Sequence, residues 1–94
     1  MSISKGTVVS VVTVGGEYIG KLKDQEGEFI TLEDPHTITP NGQSIGFLPA
    51  VCMTGKQKPA EVKLNKALVL LMIESQDEVV REYRSATSGL VLPS

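Results

Sequence analysis

The chain has 94 residues, a formal net charge of −2, one cysteine and one histidine; this is the length of a single domain with a small core, and the charge gives no general field for binding polyanions. One Cys and one His exclude an intrachain disulfide and a Cys/His zinc site within one subunit. The longest apolar run, residues 67–73, is far shorter than the roughly 20 residues of a membrane span, so we expect a protein of the reducing cytoplasm.

The first third of the chain, residues 7–34, predicts three successive antiparallel strands. Val, Ile, Thr, Tyr and Phe dominate this stretch, and short glycine-containing turns separate its strands. Gly15 and Gly16 supply the first turn, and Glu26 with Gly27 the second. A further glycine, Gly20, lies inside the second strand, where it predicts a sharp bend like that at a barrel corner.

The faces of these strands follow from their alternation. In the first strand, apolar residues occupy both faces, which is typical of a strand that is covered on both sides. In the third strand, we expect Ile30 and Leu32 to face the core. The outward positions of this strand are Phe29, Thr31 and Glu33.

The next segment, residues 35–59, predicts an extended arm. Four prolines, at positions 35, 40, 49 and 59, are expected to interrupt any long regular element. Asn41 and Gly42 lie between two β-prone stretches, which is a strong hairpin signal. We therefore predict a two-stranded arm closed by a loop over residues 54–59.

Residues 61–83 fit two interpretations. Apolar residues alternate along the segment as in strands, with a turn over residues 75–77 that leads into another strand over 78–84. A helical stripe is also possible, because good helix formers are frequent here. This stripe would contain Leu64, Leu68, Leu71, Val79 and Tyr83. We favour strands, because the stripe would pass through the polar Ser75 and residues 67–73 are apolar on all sides.

Two stretches resemble the sequence motifs of the Sm and Sm-like (LSm) proteins. The first is Gly15-x-x-Tyr18-x-Gly20-x-Leu22, followed by a short acidic loop and Leu32-Glu33-Asp34. The second is residues 70–73, Glu74-Ser75 and the paired valines at 79 and 80, although the arginine and glycine of the family's second motif are missing. The resemblance covers the first motif better than the second.

The resemblance implies a mostly β fold, a small and strongly bent five-stranded Sm-like open barrel. Residues 1–94 would form one Sm-like domain, with first-motif strands at 7–34, the arm at 35–59, a second-motif strand pair at 60–85 and a tail at 86–94. Subunits of this family assemble into rings by pairing the fourth strand of one with the fifth strand of the next. Many members bind single-stranded RNA through two loops, which by position are residues 23–29 and 74–77 here.

The function that follows as an expectation is a non-catalytic, homo-oligomeric ring that binds single-stranded RNA, or DNA, without a cofactor. The predicted contact residues are Lys23, Gln25, Phe29, Ser75, Gln76, Lys56 and Lys58. Amides can bind a base edge, an aromatic ring can stack on a base, and lysines repeated around a ring can attract phosphates. The alternative is a ring-shaped scaffold for protein assembly, whose acidic loops repel RNA.

The remaining polar residues predict no catalytic or metal site. The acidic residues at 24, 26, 28, 33 and 34 lack a metal-binding spacing and a partnering histidine, so a solvated loop explains them better. His36 is expected in a surface turn, and Cys52 as a small apolar residue rather than a nucleophile.

Overall fold

The computed structural model describes residues 3–42, 44–49 and 51–87. Its elements, in chain order, are β1 Val8–Thr13, β2 Gly16–Asp24, β3 Phe29–Asn41, β4 Ser44–Leu48, β5 Glu61–Asn65, β6 Val69–Glu74 and α1 Asp77–Thr87. A 3-10 turn, Lys66–Leu68, joins β5 to β6. The prediction of a mostly β fold is confirmed. Of the tail predicted over 86–94, the first two residues belong to α1 and residues 88–94 lie outside the described residues.

All six strands form one antiparallel sheet, with the order β4, β3, β2, β1, β6 along its main path. β5 lies off this path and pairs with residues 29–33 of β3, whereas β4 pairs with residues 37–41 of the same strand. β5 and β4 therefore pair with successive parts of the same strand, β3. The sheet is bent but does not close within the described part of the chain, where β5 pairs only with β3 and β6 only with β1.

Alternating side chains give the sheet two covered faces. The inner face holds the larger core, formed by Val9, Val11, Leu22, Ile30 and Leu32. The outer face is covered by α1, whose Tyr83 packs with Val8 and Ile19. The predicted burial on both sides of β1 is thus confirmed, and so is the inward orientation of the two apolar residues of β3.

The bend predicted at Gly20 coincides with an irregularity between β2 and β3. The pairing register shifts between Ile19 and Lys21, on either side of the glycine. A Cβ atom at position 20 would lie 3.0 Å from the carbonyl oxygen of Glu33 and 3.0 Å from the Cβ of Leu32. The close approach of the two strands therefore requires glycine here.

The turn between β1 and β2 lies one residue earlier than predicted. Thr13 pairs with Gly16, so the two turn residues are Val14 and Gly15. The Oγ1 of Thr13 accepts hydrogen bonds from the amides of Gly15 and Gly16, at 3.1 Å each, and donates one to the carbonyl of Gly16. The threonine side chain thus fixes this turn and leaves Val14 exposed.

The expectation that prolines interrupt every long element is wrong for β3, which continues through Pro35 and Pro40. Pro35 lies where the register between β2 and β3 shifts and where the partner of β3 changes from β5 to β4. A proline is tolerated at such a bulge because its missing amide hydrogen would have no ladder partner. The two-stranded arm predicted from Asn41 and Gly42 is confirmed by the pairing of β3 with β4.

A second correction concerns Thr31, which was expected to face outward and is 2% exposed. β3 has neighbours on both sides at this point, with Asp24 of β2 and Lys63 of β5 as the cross-strand partners. The Nζ of Lys63 reaches the Oγ1 of Thr31 at 3.5 Å. Outward-facing residues of β3 are therefore covered by the side chains of adjacent strands. Phe29, at the end of the strand, is 45% exposed as expected.

The largest correction concerns residues 60–85, which form two strands followed by a helix rather than a strand pair that ends with residues 78–84. The predicted strand over 78–84 is the helix α1, and the two strands of this region are β5 and β6, with the 3-10 turn between them. Two acidic residues begin α1 and Arg84 is in its last turn, which suits the helix dipole. The side chains of Val79, Val80 and Tyr83 share one side of the helix and pack on the outer face of the sheet.

Candidate nucleic-acid interface

The β2–β3 loop and the turn between β5 and β6 meet at one place, which we call the corner and define as residues 23–29 and 63–67. Phe29 pairs with Asn65, so the start of β3 adjoins the end of β5. The amide of Lys66 donates to the carbonyl of Glu28 at 2.9 Å, and its Nζ donates to the carbonyl of Gln25. Main-chain contacts therefore hold the two segments together.

Asn65 shapes the turn side of the corner. Its Oδ1 accepts a hydrogen bond from the amide of Ala67 at 2.8 Å, and its backbone is extended, as expected for a residue that begins a helical turn. The side chain is thereby used to end β5 and to start the 3-10 turn. Both residues are exposed.

Of the predicted contact residues, Lys23, Gln25 and Phe29 lie at the corner. The Nζ of Lys23 is 2.7 Å from the Oε1 of Glu61, the first residue of β5. This hydrogen-bonded ion pair raises the pKa of Lys23 and lowers the pKa of Glu61. The Nε2 of Gln25 donates to the carbonyl of Ile3 at 3.4 Å. Phe29 thus offers the corner an exposed ring, while the lysine and the glutamine already have partners.

Ser75 and Gln76 lie in the connection between β6 and α1 rather than between two strands. Ser75 is buried, its Oγ is 2.7 Å from the Oγ of Ser10, and its amide donates to the carbonyl of Val8. The carbonyl of Gln76 accepts from the amide of Val80 in the first turn of α1. The structure therefore gives Ser75 a packing role beside β1, and the loop predicted to face residues 23–29 is replaced by residues 65–68.

Lys56 and Lys58 are exposed in the segment between β4 and β5. Lys58 lines a cavity with His36 and Phe47, away from the contacts that build the corner. Lys63 and Lys66 are instead the cations of the second segment that the structure places at the corner. The sequence alone does not distinguish these two lysines from Lys56 and Lys58, because the distinction depends on where β5 ends.

The charges around the corner are mixed. Three lysines, at positions 23, 63 and 66, and four acidic residues belong to the corner or to the adjoining start of β5. The acidic residues are Asp24, Glu26, Glu28 and Glu61. The local field is therefore close to neutral, and a polyanion gains little from it.

Three strands of the described bent sheet have a free edge, namely β4, β5 and β6, and β4 is the one that belongs to the arm. In the described part of the chain, β5 has a partner only on its β3 side and β6 only on its β1 side. On β6, Leu70, Leu71 and Ile73 are 66%, 49% and 59% exposed. An apolar strand with unpaired backbone groups is a surface on which another strand can pair.

Comparisons with known proteins give no identification: the sequence matches none of the protein-family models and no curated protein. No helix among the described residues is long and apolar enough to cross a membrane. The candidate site is therefore defined by the geometry of the corner and the two strand edges.

Proposed function

We propose that this chain is an Sm-like subunit that assembles with copies of itself into a closed ring without catalysing a reaction. The strand neighbours support this proposal. β1, β2 and β3 follow one another, β5 pairs back onto β3, and β6 returns to β1 across a three-residue turn. In this assignment β5 and β6 are the fourth and fifth strands of the Sm-like barrel, and β4 is part of the inserted arm.

The observation that carries the proposal is the pair of free edges. Pairing the outer edge of β5 of one subunit with the outer edge of β6 of the next would satisfy the backbone groups of both strands. It would also cover part of the exposed apolar surface of β6, formed by Leu70, Leu71 and Ile73. Because the two edges are different surfaces, repeating the contact generates a ring when the rotation closes.

The corner is the proposed binding site for single-stranded RNA. Phe29 provides an exposed ring for stacking on a base, Asn65 contributes polar groups, and Lys66 places a cation in the same turn. In a ring, each subunit repeats this set. Even if each corner is neutral, one RNA strand that stacks on the corners of several subunits binds more tightly, because the first contact raises the effective concentration for the next.

Filter binding of oligo-U and oligo-A, at low and moderate salt, tests the RNA part of the proposal. We expect Phe29→Ala to weaken retention by about tenfold, because stacking on an aromatic residue contributes about 1–3 kcal/mol per base. Lys66→Gln should weaken binding and reduce its salt dependence. The matched control is Lys56→Gln, which removes the same charge from an exposed position outside the corner.

A protein-assembly scaffold without nucleic acid remains the second candidate function. The three carboxylates of the corner and the adjacent Glu61 favour it, since they offset the three lysines. Absence of retention at low salt by an assembled ring would reject RNA binding and favour the scaffold. Retention that is unaffected by Phe29→Ala and Lys66→Gln would reject the corner as the site.

A further inference from the structure

A cavity of about 360 Å³ lies between the start of the arm, the segment before β5 and the last turn of α1. Its apolar lining comes from Phe47 and from three prolines, at positions 35, 49 and 59. Its polar lining includes Asp34, His36 and Lys58. The volume lies within the range of small-molecule sites, and the lining combines apolar surfaces with polar and charged groups.

Backbone strain is concentrated at this cavity. Asp34 has a φ of 49° and Lys58 a φ of 53°, and they are the two non-glycine residues with positive φ in the described part of the chain. Both line the cavity. Left-handed conformations of non-glycine residues are strained and tend to occur at ligand-binding and catalytic sites.

Hydrogen bonds hold the Asp34 wall of the cavity in place. The carbonyl oxygen of Asp34 accepts from the Tyr83 hydroxyl at 2.6 Å and from the Nδ1 of His36 at 2.9 Å. Its amide donates to the carbonyl of Ala60 at 2.9 Å. Because a carbonyl only accepts, Nδ1 carries a proton, and the Nε2 of the neutral imidazole is an acceptor.

The charge balance of the cavity leaves one cation. The carboxylate of Asp34 is 3.2 Å from the Nζ of Lys21, which neutralises it. Lys58 forms no ion pair with the described residues. The cavity therefore combines flat apolar surfaces with one uncompensated positive charge at its rim.

We propose that this cavity binds a small planar ring that carries an anionic group. The ring packs between Phe47 and the prolines, the anion pairs with Lys58, and the Nε2 of His36 accepts a hydrogen bond from the ring's edge. Nucleoside monophosphates and aromatic carboxylates share this chemistry. The site is separate from the corner, so this proposal does not depend on RNA binding.

The test is an NMR titration of the ¹⁵N-labelled protein with 5′-AMP, 5′-UMP and 4-hydroxybenzoate. We expect saturable shifts at the amides of His36, Phe47 and Lys58, with a Kd of about 1 mM or tighter. Shifts with the nucleotides alone, or with the benzoate alone, would identify the source of the ligand. Inorganic phosphate is the control for charge, and should cause much smaller shifts at Phe47.

A matched pair of variants locates the charge. Lys58→Asn removes the cation, and asparagine tolerates the left-handed backbone at this position. We expect it to weaken binding by about tenfold, whereas Lys56→Asn leaves binding unchanged. Equal weakening by both variants, or no saturable shift with any probe at about 10 mM, would overturn the proposal. Unchanged binding in Phe29→Ala would separate this site from the corner.

Discussion

Tyr83 links α1 to the point where β3 changes partners. The residue is fully buried, its hydroxyl donates to the carbonyls of Glu33 and Asp34, and its ring packs edge-on against His36 and Phe47. The ring and the hydroxyl therefore act on different neighbours. Replacing the hydroxyl alone separates the two contributions.

We expect Tyr83→Phe to lower the free energy of unfolding by about 1–2 kcal/mol at neutral pH, because the partly buried carbonyls of Glu33 and Asp34 lose the donor that they share. The aromatic packing stays in place. Urea denaturation at fixed protein concentration measures the change. A loss below a few tenths of a kcal/mol would show that water replaces the hydroxyl.

The same residue predicts a dependence of stability on alkaline pH. Burial, followed by the nearby Asp34 carboxylate, raises the pKa of Tyr83 above its usual range. The folded protein thus holds the phenol proton to higher pH than the unfolded chain does. This contribution is complete below about pH 10, the ordinary tyrosine pKa, and is lost as the pH rises through the raised pKa. The free energy of unfolding should therefore fall more steeply above about pH 10 in the parent protein than in Tyr83→Phe. Parallel plots of the free energy of unfolding against pH for the two proteins would contradict this.

Gly20 offers a second test at a single position. A methyl group there would press on the Glu33 carbonyl and on the Leu32 side chain. We expect Gly20→Ala to destabilise the protein by about 1–3 kcal/mol, as overpacking does. The matched control is Gly15→Ala, where the nearest atom is 3.9 Å away and the φ is not positive, so its effect should be small. Equal effects of the two variants would show that the close strand approach does not set the cost.

The elements differ in how well sequence predicts them. β1, β2 and β3 follow from β-branched alternation and glycine turns, and the arm follows from Asn41 and Gly42, because these signals are local. The boundary between β6 and α1 is not local. Ser75 is buried against β1, and α1 forms where its apolar side can cover the sheet. The spacing of apolar residues along the sequence does not reveal these contacts between distant segments.

Only one of the two segments of the candidate site could be predicted from the sequence, because only one depends on local signals. Residues 23–29 lie in a turn that sequence indicates, so Phe29 was placed correctly on the surface. The opposing segment depends on the register of β5 against β3, which brings Asn65 beside Phe29. The sequence-based prediction divides the region after residue 60 wrongly into strands. It therefore places residues 74–77, instead of 65–68, in the loop opposite residues 23–29.

The free edge of β6 can be tested as the interface between subunits by substitution. Leu70→Lys combined with Ile73→Lys adds two charges at exposed positions, so the single subunit should remain folded while edge pairing is blocked. The control is Met53→Lys, an apolar residue 98% exposed outside both edges. We expect the double variant to have the mass of one chain, 10.1 kDa, and the control to match the parent. An assembled double variant would show that β6 is not the interface.

The whole molecule has a small core and free strand edges on β5 and β6. Among the described residues, the inner core has five buried side chains, and three exposed large apolar side chains lie together on β6. A chain of this size gains stability from association, and its surface offers two complementary strand edges for it. The proposed function therefore depends on assembly, and the proposed RNA binding at the corner depends on it in turn.

The most direct test of this central claim is the absolute mass of the protein in solution, measured by light scattering during size-exclusion chromatography. The account predicts one species whose mass is an integral multiple of 10.1 kDa, with several subunits, across a range of concentrations. A monomer at all concentrations would contradict ring assembly and, with it, the assignment of β5 and β6 as paired edges.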